Sequence, residues 1–489
     1  GLASAVGTDF MPEQNSGELQ VVAELPIGTN FARTAEIGDL IYEELARQPE
    51  VEIVQYQAGT SSAAFGTAMG GKEGSNIVSL SARLVPYSER ERSDAEVADA
   101  IRIYAQELPE IVNLDVKAGS AISGVLSGMG KPVTIALLGD DFDELTEAAR
   151  IVKDILTKTE GTIDVSSDLL ETRPELRYEL DRERASKLGV SAASVGSTLR
   201  ASLYGQEVSK YRGDGEDVPL VVRLQEQDRV SADDLARIEV DALTGAVVRL
   251  GDLGSIREAD SPIEIRRTDQ QRMLSVGANL HDRPLGDVVN DVEAALAVAQ
   301  LPTGVSYRFV GAVEEQKETF QGVIIAIGLG ALMVYLVMAG QFESYRDPFV
   351  IIFSLPFSIT GALLFLVLTG TTLSLPAFLG MVILLGVVVN NAIVLVDYVK
   401  QLRERGMAVK EALVTAGERR LRPVLMTTIT TVFGMVPLAW AQGEGSELWV
   451  PLGRAALGGM LVSALVTLVL IPVLYTFAHR DKPAESAEV

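Results

Sequence analysis

Two amide side chains, Asn390 and Asn391, stand in the run GVVVNNAIVLVDY (386–398), whose other residues suit lipid almost throughout. Each brings donors and acceptors that hydrocarbon cannot satisfy, at a cost of roughly a few kcal/mol if unpaired. Both are therefore expected to face a protein interior or internal water. Their small and β-branched neighbours let another helix approach. Such amides either line a polar pathway through a membrane or join helices, the latter worth about 1 kcal/mol or less. Little other site chemistry stands out. His281 and His479 are far apart, with no carboxylate or cysteine pattern around them, which argues against a zinc site. GTAMGGKEG (66–74) lacks the spacing of a phosphate loop, which argues against ATP as an energy source. No nucleophile–base constellation is visible, so the chain does not read as an enzyme.

The elements that position the amides follow from charge. Residues 343–489 carry 11 acidic and 11 basic residues, so the whole net charge of −24 belongs to residues 1–342. That acidic region lacks the basic face that nucleic acid requires. From Pro348 to Val396 there is no charge at all, and about 20 helical residues cross a membrane, so this stretch reads as two spans with TGTTLSLP (370–377) as the turn. Gly322–Gly340, Pro423–Gly443 and Ala455–Ala478 are further uncharged runs near spanning length, which makes five transmembrane helices. The segment 400–422 holds Lys400, Arg403, Arg405, Lys410, Arg419, Arg420 and Arg422 against three Glu and is expected to be cytoplasmic. Everything before Phe320 then lies outside. An exported region needs a leader or a preceding span, and the opening GLASAVGTDFMP supplies neither. The expectation is an upstream span, with Gly1–Val6 as its tail, and a chain that is one half of a longer protein. The absence of cysteine suits an oxidising exterior.

A strand, an amphipathic helix and a second strand recur through residues 18–310. ELQVVAELP, FARTAEIGDLIYEELARQP and VEIVQY make one copy; VTIALLG, DFDELTEAARIVKDILTKT and TIDVSSD make another. Two more centre on helices at 93–108 and 285–299. Four such units pair into two ferredoxin-like βαβ sandwiches. Between the third and fourth lies an extra block whose turn RGDGEDVP (212–219) reads as a hairpin tip, either a solvated loop or a docking element.

This combination, with VVVNNAIVLVDY and RRLRPVLMTT in the helical part and ELPIGT (24–29) and LPTGVSYRFVG (301–311) outside, resembles the C-terminal half of resistance-nodulation-division exporters of the hydrophobe/amphiphile multidrug type. The resemblance covers essentially the whole chain. It implies a five-helix membrane bundle plus an α+β exported domain of two ferredoxin-like subdomains with an inserted hairpin-bearing docking block. The expected boundaries are a span tail and linker at 1–17, a first porter subdomain at 18–132, and a second at 133–180 with 262–319. The docking block would cover 181–261, the membrane domain 320–480 and a cytoplasmic tail 481–489. It also implies an inner-membrane protein with its large domain on the periplasmic side. No cofactor is expected, the proton gradient supplying the energy. The implied partners are an N-terminal half of the same transporter, a homotrimer, a periplasmic adaptor, an outer-membrane channel, hydrophobic small-molecule substrates and membrane lipid.

In related exporters the position of Asn390 commonly holds a Lys that alternates its pairing with acids of the other half, so the neutral amide departs from the family pattern. Thr427 and Arg420 match family positions near the same relay. The 66–74 stretch fills the place of a substrate-lining loop, where Phe65 and Met69 would offer adaptable apolar contacts. A metal-ion exporter of the same fold is the alternative, though Met11, Met69, Met129 and Met273 are too scattered to line a metal path. A receptor or scaffold that kept the fold and lost coupling is another.

Overall fold

In the computed structural model, which describes residues 6–479 except 13–14, 60–73, 120–129, 169–171, 214–215, 243–244 and 263–264, two sheets repeat one winding. β1 (Glu18–Glu24) leads through α1 (Phe31–Arg47) to β2 (Val51–Gly59) and β3 (Gly74–Leu84), and α2 (Asp94–Gln106) leads to β4 (Asn113–Ala118). Their order is β2-β3-β1-β4 with antiparallel neighbours throughout. The second set is β5 (Val133–Gly139), α3 (Phe142–Lys158), β6 (Thr162–Ser167), β14 (Gln271–Leu280), α8 (Leu285–Val298) and β15 (Ser306–Val310). It takes the same order, β6-β14-β5-β15, with β13 (Arg266–Thr268) also paired to β14.

Alternation builds the sheets: Leu19, Val21 and Ala23 of β1 point inward beneath Ile37, Ile41 and Leu45 of α1, which recur every four residues. Helix starts are capped locally. Asn30 accepts from the Ala32 amide at 3.1 Å, Ser93 and Glu96 form a reciprocal box, and Asp141 accepts from the Asp143 amide at 2.8 Å.

A polar network joins the two sheets. Arg102 of α2 donates through Nε to both carboxylate oxygens of Asp164 on β6 at 3.1 Å, and through Nη2 to the Val116 carbonyl at 2.8 Å. Asn279 of β14 donates to Asp115 of β4 at 2.6 Å and to Asp164 at 3.2 Å. The Asp164 side chain is 1% exposed and its backbone is left-handed, φ 50°. Aspartate tolerates that conformation better than most residues, and the surrounding partners hold it. Burial pushes the Asp115 carboxyl up, but Lys117, Lys131 and Asn279 more than offset it and hold the group below the ordinary range.

Residues Leu170–Ile265 form a separate compact unit. β7 (Thr172–Leu180) pairs with β12 (Gly254–Pro262) in one unbroken antiparallel register, from Leu180↔Gly254 to Thr172↔Pro262. The inserted block therefore begins near residue 170, earlier than the expected 181, and the strand 172–180 belongs to it and not to the second sheet. Between these strands lie α4 (Arg182–Lys187), α5 (Ala192–Leu203), the hairpin β8 (Gln206–Gly213) and β9 (Glu216–Val222), α6 (Ala232–Ala236), β10 (Glu239–Asp241), β11 (Val247–Arg249) and α7 (Leu250–Leu253). Val190, Val195, Val240, Leu250 and Leu253 are its core.

Among the described residues, five helical stretches are long and apolar enough to cross a membrane: α9 (Ala312–Phe342), α10 (Arg346–Ile352) continued by α11 (Ser354–Leu368), α12 (Leu375–Glu404), α13 (Val409–Ala439) and α14 (Ser446–Ala478). α9 starts ahead of the expected boundary at 320. Ala312 and Val313 pack into the core of the second sheet, and Glu314 and Glu315 lie in the helix's first turn. α11 and α14 meet backbone to backbone: a Cβ at Gly458 would overlap Phe365 and lie 2.8 Å from the Gly361 carbonyl. Such close approach replaces the hydrophobic drive that lipid removes.

Asp164→Ala should destabilise the sheet-bearing region by about 1.5–3 kcal/mol, because it removes one of the two carboxylates that pair with buried Arg102, Asp99 being the other, and thermal unfolding will show it. Asp115 is depressed, so its contribution is present above its unfolded value of about 3.9 and is lost as pH falls through the lower folded value. Protection factors at β4 and β6, corrected for the intrinsic pH dependence of amide exchange, should therefore stay constant from about pH 5 to 8 and fall only below about pH 4.

Candidate functional site: an amide and two hydroxyls within the helical bundle

α12 buries Leu384, Val388, Ala392, Leu395 and Val399 against the bundle, a four-and-three spacing that fixes which way each neighbour turns. Asn390 and Asn391 are about 100° apart around the helix, so they cannot share a face. Asn391 turns toward α13 and is half-buried; Asn390 is exposed on the bundle surface and its side chain makes no hydrogen bond among the described residues.

The Asn391 Nδ2 donates to Thr428 Oγ1 at 3.3 Å, and its Oδ1 accepts from Thr427 Oγ1 at 3.2 Å. The same Thr427 hydroxyl lies 3.0 Å from the Val424 carbonyl, so its single proton is shared between the helix backbone and the amide. Thr428 is buried, 7% exposed. One N–H and one lone pair of Asn391 stay available, which is what a further polar partner would use. An amide in this setting relays or orients hydrogen bonds. It cannot neutralise a carboxylate as an ammonium would.

Of the residues singled out in the sequence, Asn391 and Thr427 are brought together, while Asn390 and Arg420 are not part of the pair. Arg420 lies about two helical turns before Thr427, with its guanidinium 4.9 Å from the centre of the Tyr398 ring of α12. Its neighbour Arg419 donates to the Tyr398 hydroxyl at 2.8 Å. This chain therefore gives Arg420 the role of a brace between α12 and α13. Phe65 and Met69 lie outside the described residues. Sequence reasoning missed Thr428, whose only signal was the doubled threonine of RPVLMTT. It also missed a cluster at one bundle end: buried Asp347 lies 3.4 Å from His479 Nε2, the His479 ring stacks on Tyr475 at 4.4 Å, and Arg403 reaches the Tyr475 hydroxyl at 3.5 Å. Among the described residues no three His, Cys, Asp or Glu gather as a metal site would require.

Among the described residues, five apolar helices, two of them bridged through Asn391, follow a twice-wound α/β region, and this is the architecture of the resistance-nodulation-division family. The chain belongs to the AcrB/AcrD/AcrF family, whose profile matches residues 1–479. It is 28% identical to the cobalt-zinc-cadmium resistance protein CzcA of Cupriavidus metallidurans, over 99% of this chain and 46% of that protein. It is equally 28% identical to the multidrug resistance protein MdtC of Proteus mirabilis, over 96% of this chain and 44% of that protein. A crystal structure of a heavy metal efflux pump superposes with a TM-score of 0.81 at 26% identity, over 97% of this chain and 48% of that one. The chain thus spans about half the length of the proteins it matches.

The pairing is measurable. A double-mutant cycle on Asn391→Ala and Thr428→Val, read in the unfolding of the detergent-solubilised protein, should give a coupling of about 0.6 kcal/mol, within an upper bound near 1.7. Strict additivity would mean the two side chains do not hold each other.

Proposed function

We propose that this chain is the C-terminal half of a proton-driven exporter of hydrophobic or amphiphilic compounds, completed by an N-terminal half that supplies the acids facing Asn391. The observation that carries the reading is the hydrogen-bonded Asn391–Thr427–Thr428 set on two apolar helices, with unused capacity on the amide. In this reading the two sheet layers are ferredoxin-like porter subdomains on the periplasmic side, the 400–422 segment is cytoplasmic, and the protein works as a homotrimer in the inner membrane. A periplasmic adaptor and an outer-membrane channel are its further partners, and Phe65 and Met69 lie along the substrate path.

The similarity to the multidrug resistance protein MdtC supports the choice of substrate class. A cleft of ≈ 540 Å³ between the two sheets is lined by Ile111, Val112, Leu114, Ile163 and Val165 and equally by polar groups, Asp164, Lys153, Gln106 and Asn113 among them, so its walls by themselves favour neither class. Metal export is the second reading, favoured by the similarity to CzcA and to the heavy metal efflux pump. A metal path would want nitrogen or sulfur ligands in convergent positions.

Transport by the complete protein in proteoliposomes decides between the two. With an imposed pH gradient, an amphiphilic dye should be moved while zinc, cobalt and cadmium are not. Metal movement without dye movement would overturn the proposal in favour of the second reading. Asn390→Lys should leave dye transport within a few-fold of the parent, since the position faces away from the Asn391 set.

A further inference from the structure

Residues 6–12 and 15–17 lie along the seam where the α/β region meets the ends of the membrane helices, and they grip both sides. Toward the helices they run beside the link between α11 and α12: the Leu373 amide donates to the Gly7 carbonyl at 2.8 Å, the Asp9 amide to the Leu373 carbonyl at 3.2 Å, and the Leu375 amide to the Phe10 carbonyl at 3.2 Å. Toward the second sheet they hold the start of α8. The Gly286 amide donates to the Thr8 carbonyl at 2.8 Å and the Leu285 amide to Asp9 Oδ1 at 2.7 Å. α8 has Pro284 at its N-cap and no side-chain cap of its own, so Asp9 supplies from a distant part of the chain the acceptor that helices usually find next door. The fit leaves no room to slide, since a Cβ at Gly7 would overlap Pro284 and a Cβ at Gly286 would overlap Thr8.

A few residues on, the same segment holds the first sheet. Asn15 donates to Glu447, in the first turn of α14, at 2.8 Å, and accepts from the amide of Asp94, the first residue of α2, at 3.2 Å. The Gly17 amide donates to Asp94 Oδ2 at 2.9 Å, and the Tyr87 amide to Glu444 at 3.2 Å. Asp94 also pairs with Arg90, and these two side chains are 1% and 0% exposed. Burial this complete makes the arrangement costly to break.

We propose that residues 6–12 and 15–17 form the two prongs of a coupling strap, the first fixing the second sheet to the α11–α12 link through Asp9 and the second fixing the first sheet to the start of α14 through Asn15 and Asp94. Because α11, α12 and α14 interlock through Gly361, Gly380, Gly458 and Gly459, a shift of these helices as one body reaches both sheets through the two prongs and turns them about the Arg102–Asp164 junction. Asn391 stands on α12 about 24 Å from Leu375, and a continuous helix transmits such a shift as a rod. The strap rests on the proton-driven exporter reading for its purpose but not for its mechanics.

The chain has no cysteine, which permits a redox test in the complete transporter. Asp9→Ala should reduce proton-driven dye export about tenfold while the assembly stays intact, whereas Asp9→Asn, whose amide oxygen still accepts from Leu285, should keep most of it. In the Asp9→Ala background, Thr8→Cys with Gly286→Cys places two Cβ atoms near disulfide spacing, an ideal Cβ at 286 being 3.2 Å from that of Thr8. Export should return on oxidation and vanish on reduction. Hydrogen exchange on the same samples reads the strap without transport: Asp9→Ala should deprotect both 285–288 and 371–375, and the oxidised staple should protect both again. Unchanged exchange in both segments, or dye export by Asp9→Ala at the parent rate, overturns the strap. A parent protein that exports no dye while its exchange responds as described overturns the exporter reading alone.

Discussion

A polar group in hydrocarbon must find its hydrogen bonds within the protein or its partners, and α12 carries that requirement into the bundle with two adjacent amides. Asn391 meets it with Thr427 and Thr428, which is possible only because α12 and α13 lie close along that face. Close packing elsewhere in the bundle depends on missing side chains, as at Gly361 and Gly458. The pair is adequate but not saturated. Thr427 divides one proton between an amide and its own helix, and that divided bond is the natural place for a small rearrangement.

The α/β region obeys the same rule with charges in place of amides. Asp164 is buried in a left-handed backbone conformation between two sheets, and Arg102 and Asn279 satisfy it. The seam repeats the solution with Asp9 at the start of α8 and Asp94 at the start of α2. Each junction therefore couples two bodies through a few directional bonds centred on a carboxylate.

Much of this was legible in the sequence because its physics is local. Charge-free runs marked the spans, alternation and four-residue spacing marked the strands and helices of both repeats, and an amide pair inside an apolar run marked the site. What escaped depends on distant partners. TRPELRYEL reads equally well as the end of the second sheet or the start of the inserted block, and only its register with residues 254–262 decides. The charges at 314–318 concealed that α9 begins at Ala312. Thr428 had no mark beyond lying next to Thr427, and nothing local in the motif that carried Arg420 announces its contact with Tyr398 of α12. Residues 6–17 resembled a plain linker, since their bonds go to residues hundreds of positions away.

The central claim is that the Asn391 amide couples proton movement to the rest of the molecule, and proton flux tests it most directly. The complete transporter and its Asn391→Leu variant, reconstituted at equal density and with the assembly verified, are placed under a pH gradient with dye present while internal pH is followed. On the proposal that the other half supplies a carboxylate to Asn391, loss of the amide leaves that group without a hydrogen bond in a low-dielectric site, which favours its protonated form. The account predicts that dye-dependent proton flux falls to the level of empty vesicles in the variant. Undiminished dye-dependent flux in a correctly assembled Asn391→Leu protein would contradict it.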